Sequence, residues 1–254
     1  MTGRGLDPSV RKARFTVPQP AEDVPAVMWL PGRAQRRRPL VLLGHGGGLH
    51  KETRYIDRLG TWLAGEHGIA CLAIDLPFHG DRTPARERGL SALARRERMG
   101  LRGWRERNAG ATEQSVADWK AAMAAAHRHD PLIQGPVGYF GVSMGTRFGI
   151  PLIAAEPRIT AAVLGLFGVP AADTGSAFAR AAGQVTIPVL FLQQLDDRLF
   201  PADDGRRLFA LLGSPDKTLH ANPGGHLGLP RAELAHTIDF LRHHLGSGDR
   251  EPGR

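Results

Sequence analysis

The stretch VGYFGVSMG (137–145) decides the fold class, because it has the pattern of a buried strand that runs into a sharp turn. A helical pattern, TRFGIPLIAA (146–155), follows it directly. When a strand is followed by a G-x-S-x-G turn and then a helix, the small glycines let the strand and helix approach closely. The serine lies at the turn with its Oγ exposed. The pattern predicts that Ser143 is a nucleophile. The alternative is an ordinary glycine-rich turn between a strand and a helix.

Outward from this turn, short apolar runs alternate with amphipathic patterns. The apolar runs predict buried strands at 39–48, 68–77, 159–168 and 186–195. The amphipathic patterns predict helices at 55–68, 112–129, 202–213 and 231–246, the second with Thr112 as its N-cap. Such alternation is typical of βαβ units. We therefore expect one α/β domain over residues 1–254, with a mostly parallel twisted sheet and helices on both faces.

Two segments break this alternation. The first 38 residues predict one or two edge strands, ARFTV (13–17) and AVMWL (26–30). Residues 82–110 carry nine arginines and little apolar periodicity. An insertion of this length in a compact domain is often a lid. The segment is expected to form a small cap over a site, and a solvated surface excursion is the alternative.

A serine hydroxyl is a poor nucleophile unless a base accepts its proton and an acid orients that base. Downstream of Ser143, the apolar run 186–195 ends at two carboxylates, Asp196 and Asp197. His226 follows in a glycine loop before the last helical pattern, flanked by Gly224 and Gly225. The order serine, aspartate, histidine is that of the α/β-hydrolase fold.

The combination of five motifs is similar to the dienelactone-hydrolase-like serine esterases of the α/β-hydrolase superfamily. They are HGGG (45–48), DLPFHGDR (75–82), GVSMG (141–145), LDDRLFP (195–201) and GGH (224–226), and the resemblance runs from residue 39 to about 246. It implies Ser143 as nucleophile, His226 as general base and then acid, and an aspartate on the loop after the strand. Hydrolysis of esters or thioesters through an acyl-enzyme would follow.

The same resemblance indicates which of the two aspartates orients His226. Superfamily members often have G-x-x-D with a proline four residues later. Asp197 lies four residues before Pro201, so Asp197 is preferred to Asp196, although Gln194 replaces the glycine of the pattern.

A tetrahedral oxyanion needs two backbone N–H donors. Met144, directly after the nucleophile, is expected to supply one, and Gly47 of the HGGG loop the other. Gly46 and Gly48 are the alternatives to Gly47. The alternative is that the HGGG loop is a glycine turn that only reverses the chain and binds no oxyanion.

The remaining composition narrows the class of protein. The chain has 254 residues, 42% of them hydrophobic, and Cys71 is its one cysteine, which excludes a disulfide framework and a multi-cysteine zinc site. The N-terminus has no apolar run resembling a signal peptide, so a cytoplasmic location is expected. His236, His243 and His244 are expected on exposed or half-buried helix faces without a carboxylate–histidine motif. No metal and no cofactor are therefore expected.

We expect a serine carboxylesterase that cleaves small to medium acyl esters. The alternatives are hydrolysis of amide, thioester or C–C bonds by the same residues, and a non-catalytic ligand-binding protein on this scaffold. The formal charge of +8 comes from 29 arginines and 4 lysines against 25 acidic residues. No nucleic-acid module accompanies it, and neither a nucleic-acid nor a membrane partner is expected.

The positive charge is concentrated in two places. Residues 1–38 carry a net +5 and residues 82–110 a net +6, so the remainder is slightly acidic. A basic cap that includes Arg95, Arg96 and Arg98 would steer anionic esters toward the site.

Overall fold

A computed structural model describes residues 10–32, 37–90 and 92–246 of the chain. Within these residues the strands are β1 (Val10–Val17), β2 (Val24–Pro31), β3 (Arg38–Gly44), β4 (Ala70–Ile74), β5 (Ile133–Gly141), β6 (Ile159–Gly165), β7 (Val189–Gln194) and β8 (Lys217–Asn222). The helices are α1 (Arg54–His67), α2 (Ala92–His129), α3 (Met144–Ala155), α4 (Ala177–Gly183), α5 (Ala202–Leu211) and α6 (Arg231–Leu245).

The described strands form one sheet in the order β1-β2-β4-β3-β5-β6-β7-β8. β2 pairs antiparallel with β1 and with β4, and every later pairing is parallel. The expected α/β class with a mostly parallel sheet is confirmed. Of the two expected edge strands only β1 lies at the edge, because β2 has a partner on each side.

Successive residues of the central strands point to opposite faces of the sheet, and each face buries its own core. Leu40 and Leu42 of β3 belong to the core beneath α2, α3, α4 and α5. Val41 and Leu43 belong to the core beneath α1 and α6. Parallel strands covered on both faces are buried throughout, which is why they appear in the sequence as continuous apolar runs.

The segment before Thr112 differs from its prediction. α2 begins at Ala92 and passes through Thr112, so Thr112 is not an N-cap. Gly100, with φ 71° and ψ 166°, interrupts the helical conformation inside α2. The arginines, glutamates and alanines on either side are good helix formers, and their lack of apolar periodicity hid the helix from pattern analysis.

β8 was not predicted at all. Its residues KTLHAN are half-buried or exposed, as expected of a strand at the sheet edge that lacks an apolar run. β8 matters for function because the loop that follows it carries His226. Among the described residues, no helix combines the length and apolarity needed to cross a membrane.

Candidate active site

Ser143 occupies the junction between β5 and α3, at the carboxyl edge of the parallel strands. Its backbone has φ 58° and ψ −119°, a conformation that costs a residue with a side chain about 1–3 kcal/mol. The glycines around it allow the close approach, since a Cβ on Gly145 would lie 2.6 Å from the carbonyl oxygen of Gly44. The turn therefore stores strain and presents the Ser143 hydroxyl beyond the sheet.

The strained turn is held by hydrogen bonds to the neighbouring strand. The Ser143 N–H donates to the Gly165 carbonyl at 2.8 Å. The buried hydroxyl of Thr146 lies 2.8 Å from the Gly141 oxygen and 2.6 Å from the Gly165 oxygen, and it accepts from the Gly165 N–H at 2.8 Å. These bonds fix the turn against β6.

His226 reaches the serine from the loop between β8 and α6. Its Nε2 lies 3.0 Å from the Ser143 Oγ, and its Nδ1 lies 2.6 Å from the Oδ2 of Asp197. A carboxylate can only accept, so Nδ1 carries the hydrogen. Nε2 is then free to accept the proton of the Ser143 hydroxyl.

The carboxylate of Asp197 is almost fully buried, and both of its oxygens accept hydrogen bonds. Its side chain is 2% exposed, and its Oδ1 accepts from the N–H groups of Leu199 at 2.8 Å and Phe200 at 3.1 Å. Because one oxygen is fixed by the backbone, the other is held toward the imidazole. The ring of Phe200 lies 5.7 Å from the His226 ring and limits its movement.

The neighbouring Asp196 is in a different position. Its Oδ2 accepts from the Gly224 N–H at 2.8 Å, and its own N–H donates to the Gly224 carbonyl at 3.0 Å. The structure thus brings Asp197 to the imidazole, while Asp196 contacts the backbone of the histidine loop.

Gln194, which departs from the glycine of the sequence pattern, also contacts this loop. Its side-chain amide donates to the carbonyl oxygens of Pro223 at 3.4 Å and Gly225 at 3.3 Å. In the sequence pattern, Gln194 is only a mismatch. The structure shows that it ties the end of β7 to the loop that carries His226.

The glycine loop lies across from the start of α3. A Cβ built on Gly47 would meet the side chain of Met144 at 4.0 Å, so the two expected oxyanion donors are neighbours. The N–H of Gly46 donates to the Tyr55 hydroxyl at 2.7 Å and is therefore engaged. Within the described residues, neither the Gly47 N–H nor the Met144 N–H has a hydrogen-bond acceptor.

A buried histidine and aspartate support the glycine loop from below. His45 accepts from the Leu76 N–H at Nε2 and donates from Nδ1 to the Gly46 carbonyl, and burial lowers its pKa to about 3. The buried carboxylate of Asp75 accepts from the backbone N–H and the ammonium group of Lys51 at 2.9 and 2.8 Å. Neither His45 nor Asp75 reaches the Ser143 hydroxyl.

Burial also raises the pKa of the Cys71 thiol well above its usual range.

Two cavities lie near the Ser143–His226 pair, and Ser143 itself lines neither of them. One, of about 820 Å³, is lined by Arg147, one helical turn beyond Ser143, and by Phe167, Leu199 and Phe200. The other, of about 380 Å³, has His226 in its wall and reaches between α1 and α6. Each is large enough for a small organic ligand.

Three side chains near the histidine loop form a cluster that sequence reasoning missed. His220 of β8 and Glu233 and His236 of α6 place their ligand-type atoms within 4.8 Å of one another. His236 was expected on a helix face without a carboxylate–histidine motif, but Glu233 lies one turn before it. His220 and Glu233 are separated by a loop, so no local motif connects them.

No protein-family model and no curated protein matches the chain. Among solved structures, it is 40% identical to a PEG-bound cold-adapted esterase from an Arctic intertidal metagenomic library, over 96% of this chain and 97% of that one, with a TM-score of 0.80. The similarity to an esterase of Pyrococcus furiosus (15% identity, 97% and 98% coverage, TM-score 0.69) concerns the fold alone. So does the similarity to a putative dienelactone hydrolase of Klebsiella pneumoniae (17%, 93% and 98%, TM-score 0.71).

Proposed function

The chain belongs to the esterases of the α/β-hydrolase superfamily, and on that premise we propose that it hydrolyses small to medium carboxylic esters through an acyl-enzyme on Ser143. One observation carries the proposal. The Ser143 hydroxyl, the His226 imidazole and the Asp197 carboxylate form an unbroken hydrogen-bonded series, with links of 3.0 and 2.6 Å.

Acylation begins when the Ser143 Oγ attacks the ester carbonyl carbon and its proton passes to the His226 Nε2. The imidazolium that forms is stabilised by the buried carboxylate of Asp197. The carbonyl oxygen becomes an oxyanion, which accepts from the N–H groups of Gly47 and Met144. Loss of one such donor typically raises the barrier by about 3–4 kcal/mol.

The tetrahedral intermediate then breaks its bond to the alcohol oxygen. His226 gives its proton to that oxygen, and the alcohol leaves the acyl group on Ser143. A water molecule next loses a proton to His226 as it attacks the acyl carbonyl. The acid is released when the Ser143 Oγ recovers its proton from His226.

The 820 Å³ cavity is the proposed substrate pocket. Phe167, Phe200 and Leu199 supply apolar surface, and Leu199 is 68% exposed. A volume in this range suits ligands of small to medium size. Arg147 provides a cationic group in the same wall.

Residues 82–110 act as the cap in this proposal. One contact with a residue outside the segment supports it, because the Arg107 guanidinium lies 4.9 Å from the Phe78 ring. A second bond, from Arg107 to Glu87 at 2.8 Å, joins two parts of the segment itself. The same helix continues to Thr112 and Glu113, which line the 820 Å³ cavity. The side chains of Arg95 and Arg96 lie outside the described part of the chain. A cytoplasmic location stays a prediction.

A serine-directed fluorophosphonate followed by intact-mass measurement tests the nucleophile. The wild type is expected to gain one adduct and Ser143→Ala none. Ser214→Ala, which removes a hydroxyl bonded to the Asp216 carbonyl, is the matched control and should label fully. Absence of an adduct on the wild type, or an equal adduct on Ser143→Ala, would overturn the proposal.

A panel of p-nitrophenyl esters from acetyl to dodecanoyl tests the substrate class. We expect kcat/KM to peak at short or medium chains and to fall for the longest. Parallel assays with the matching anilides and thioesters separate ester hydrolysis from the other reactions open to the same residues. Tight binding of these compounds without turnover would favour a non-catalytic binding protein.

A further inference from the structure

The cluster of His220, Glu233 and His236 lies where β8 and α6 face each other. The Glu233 Oε2 is 3.0 Å from the His220 Nδ1 and 3.5 Å from the His236 Nδ1. The two imidazole rings lie 5.1 Å apart, nearly perpendicular. The three side chains thus converge on one point from two elements. None of them takes part in the hydrolytic chemistry proposed above.

We propose that His220, Glu233 and His236 form a binding site for a divalent transition metal ion of the zinc class. Metal–donor bonds of 2.0–2.1 Å in a tetrahedral site separate the donor atoms by about 3.3 Å. The two distances from Glu233 to the imidazole nitrogens, 3.0 and 3.5 Å, lie on either side of that value. The three donor atoms all lie within 4.8 Å of one another, so side-chain rotations would be needed to bring them to this spacing.

The burial of Glu233 supports a cationic ligand. The Glu233 side chain is 7% exposed. Among the described residues, its carboxylate lies within ion-pair distance of the His220 and His236 imidazoles and of no lysine or arginine. A buried carboxylate is costly unless a positive charge or several hydrogen bonds compensate it. A bound dication would supply that charge while the two imidazoles remain neutral ligands.

The donor set selects the class of metal. Two imidazole nitrogens and one carboxylate suit zinc and its neighbours in the first transition row, whereas calcium and magnesium prefer oxygen donors alone. The spacing of Glu233 and His236, one turn apart on α6, places both on the same side of the helix. The His236 side chain is 52% exposed, so a water molecule can take the fourth position.

The position of the site gives it a structural consequence. His220 precedes the loop 223–230 and Glu233 follows it, so a bound ion would fasten the two ends of the loop that carries His226. Glu233 also lines the 380 Å³ cavity whose wall contains His226. The metal would stabilise the loop without entering the reaction.

Zinc binding to untagged, chelator-treated protein is the direct test, with zinc chloride alone as the titrant in isothermal calorimetry. We expect one equivalent to bind. His220→Gln and His236→Gln should each weaken binding by about 100-fold or more, since loss of even an outer partner of a metal ligand costs about 10–100-fold. His243→Gln, which removes an exposed histidine from the same helix, should bind as the wild type does.

A second variant separates this site from the proposed catalytic histidine. His226→Asn should still bind one zinc ion and should still raise its melting temperature when zinc is added. Loss of binding in His226→Asn, or unchanged binding in both His220→Gln and His236→Gln, would overturn the proposal. If one of those two variants does not fold, the other still decides the question.

Cobalt(II) adds a spectroscopic check, because visible absorption typical of four-coordination should appear in the wild type and vanish in His236→Gln. The result does not depend on whether Ser143 is the nucleophile.

Discussion

The hydroxyl of Tyr55 accepts a hydrogen bond from the N–H of Gly46 at 2.7 Å, so a helix side chain fixes the loop that presents Gly47. Tyr55→Phe leaves this N–H without its partner and lets the loop move away from Met144. A lost partner of this kind costs about 1–3 kcal/mol, and about 1.4 kcal/mol corresponds to tenfold in rate. We expect kcat to fall roughly tenfold with little change in KM, measured on a short-chain aryl ester. A change confined to KM would contradict the role given to the loop.

The two adjacent aspartates give a direct comparison. Asp197→Asn keeps the shape of the site but favours the wrong imidazole tautomer, and we expect kcat to fall about 10⁴-fold. Asp196→Asn leaves the imidazole partner intact, so its kcat should stay within about tenfold of the wild type. Steady-state rates of the two purified variants decide the assignment, and the reverse ranking would transfer the role to Asp196.

Gln194 and Gln193 form a second matched pair at the end of β7. Gln194→Ala removes the amide that bonds to the histidine loop, and we expect kcat to fall about tenfold because His226 is less well positioned. Gln193→Ala removes a bond to the Ala202 carbonyl at the start of α5 and should lower stability without this loss of rate. Equal kcat values for the two variants at a temperature where both are folded would rule out a positioning role for Gln194.

Stability should fall in mild acid because of His45. The unfolded imidazole takes up a proton near its ordinary pKa of 6.5, whereas burial lowers the pKa in the fold to about 3. Between about pH 3 and pH 6.5 the unfolded state therefore binds more protons than the folded state. The contribution of His45 to the stability of the fold is complete above about pH 6.5 and declines as the pH falls. The slope is at most about 1.4 kcal/mol per pH unit.

Urea unfolding at about pH 7.5 and about pH 5 measures this effect. We expect the wild type to lose about 2 kcal/mol more than His45→Asn over that interval. Burial also lowers the pKa values of His67 and His244, but these two residues titrate alike in both proteins and cancel in the comparison. Identical pH dependence in the two proteins would exclude His45 as the source.

The basic segment 82–110 leads to a prediction about charge. Neutralising Arg95, Arg96 and Arg98 together should lower kcat/KM about threefold on esters that carry a carboxylate, and should leave neutral esters nearly unchanged. Steering of this kind weakens with salt, so the difference between the two substrates should shrink as ionic strength rises. An equal effect on both esters would indicate that these arginines serve solubility alone.

The fold class and the residues around Ser143 were predictable because they depend on local patterns. The strand and helix around Ser143, and the glycine loops at His45 and His226, are each encoded within about ten consecutive residues. β8 and the first half of α2 escaped prediction because an exposed edge strand and an arginine-rich helix carry little apolar periodicity. The bonds from Gln194 to Pro223 and Gly225 could not be predicted, because they join β7 to a loop 29 to 31 residues later in the chain. The bond from Gly46 to Tyr55 spans only 9 residues, but no sequence motif signals it.

Because β8 has β7 as its one strand partner in the described sheet, it is held by a single ladder of hydrogen bonds. Local opening of a protein concentrates in such weakly held elements. Fraying of β8 would withdraw His226 while the turn at Ser143, built into the centre of the sheet, stays folded. Heat should therefore inactivate this enzyme by sub-global unfolding of its C-terminal edge, at temperatures below the melting of the core.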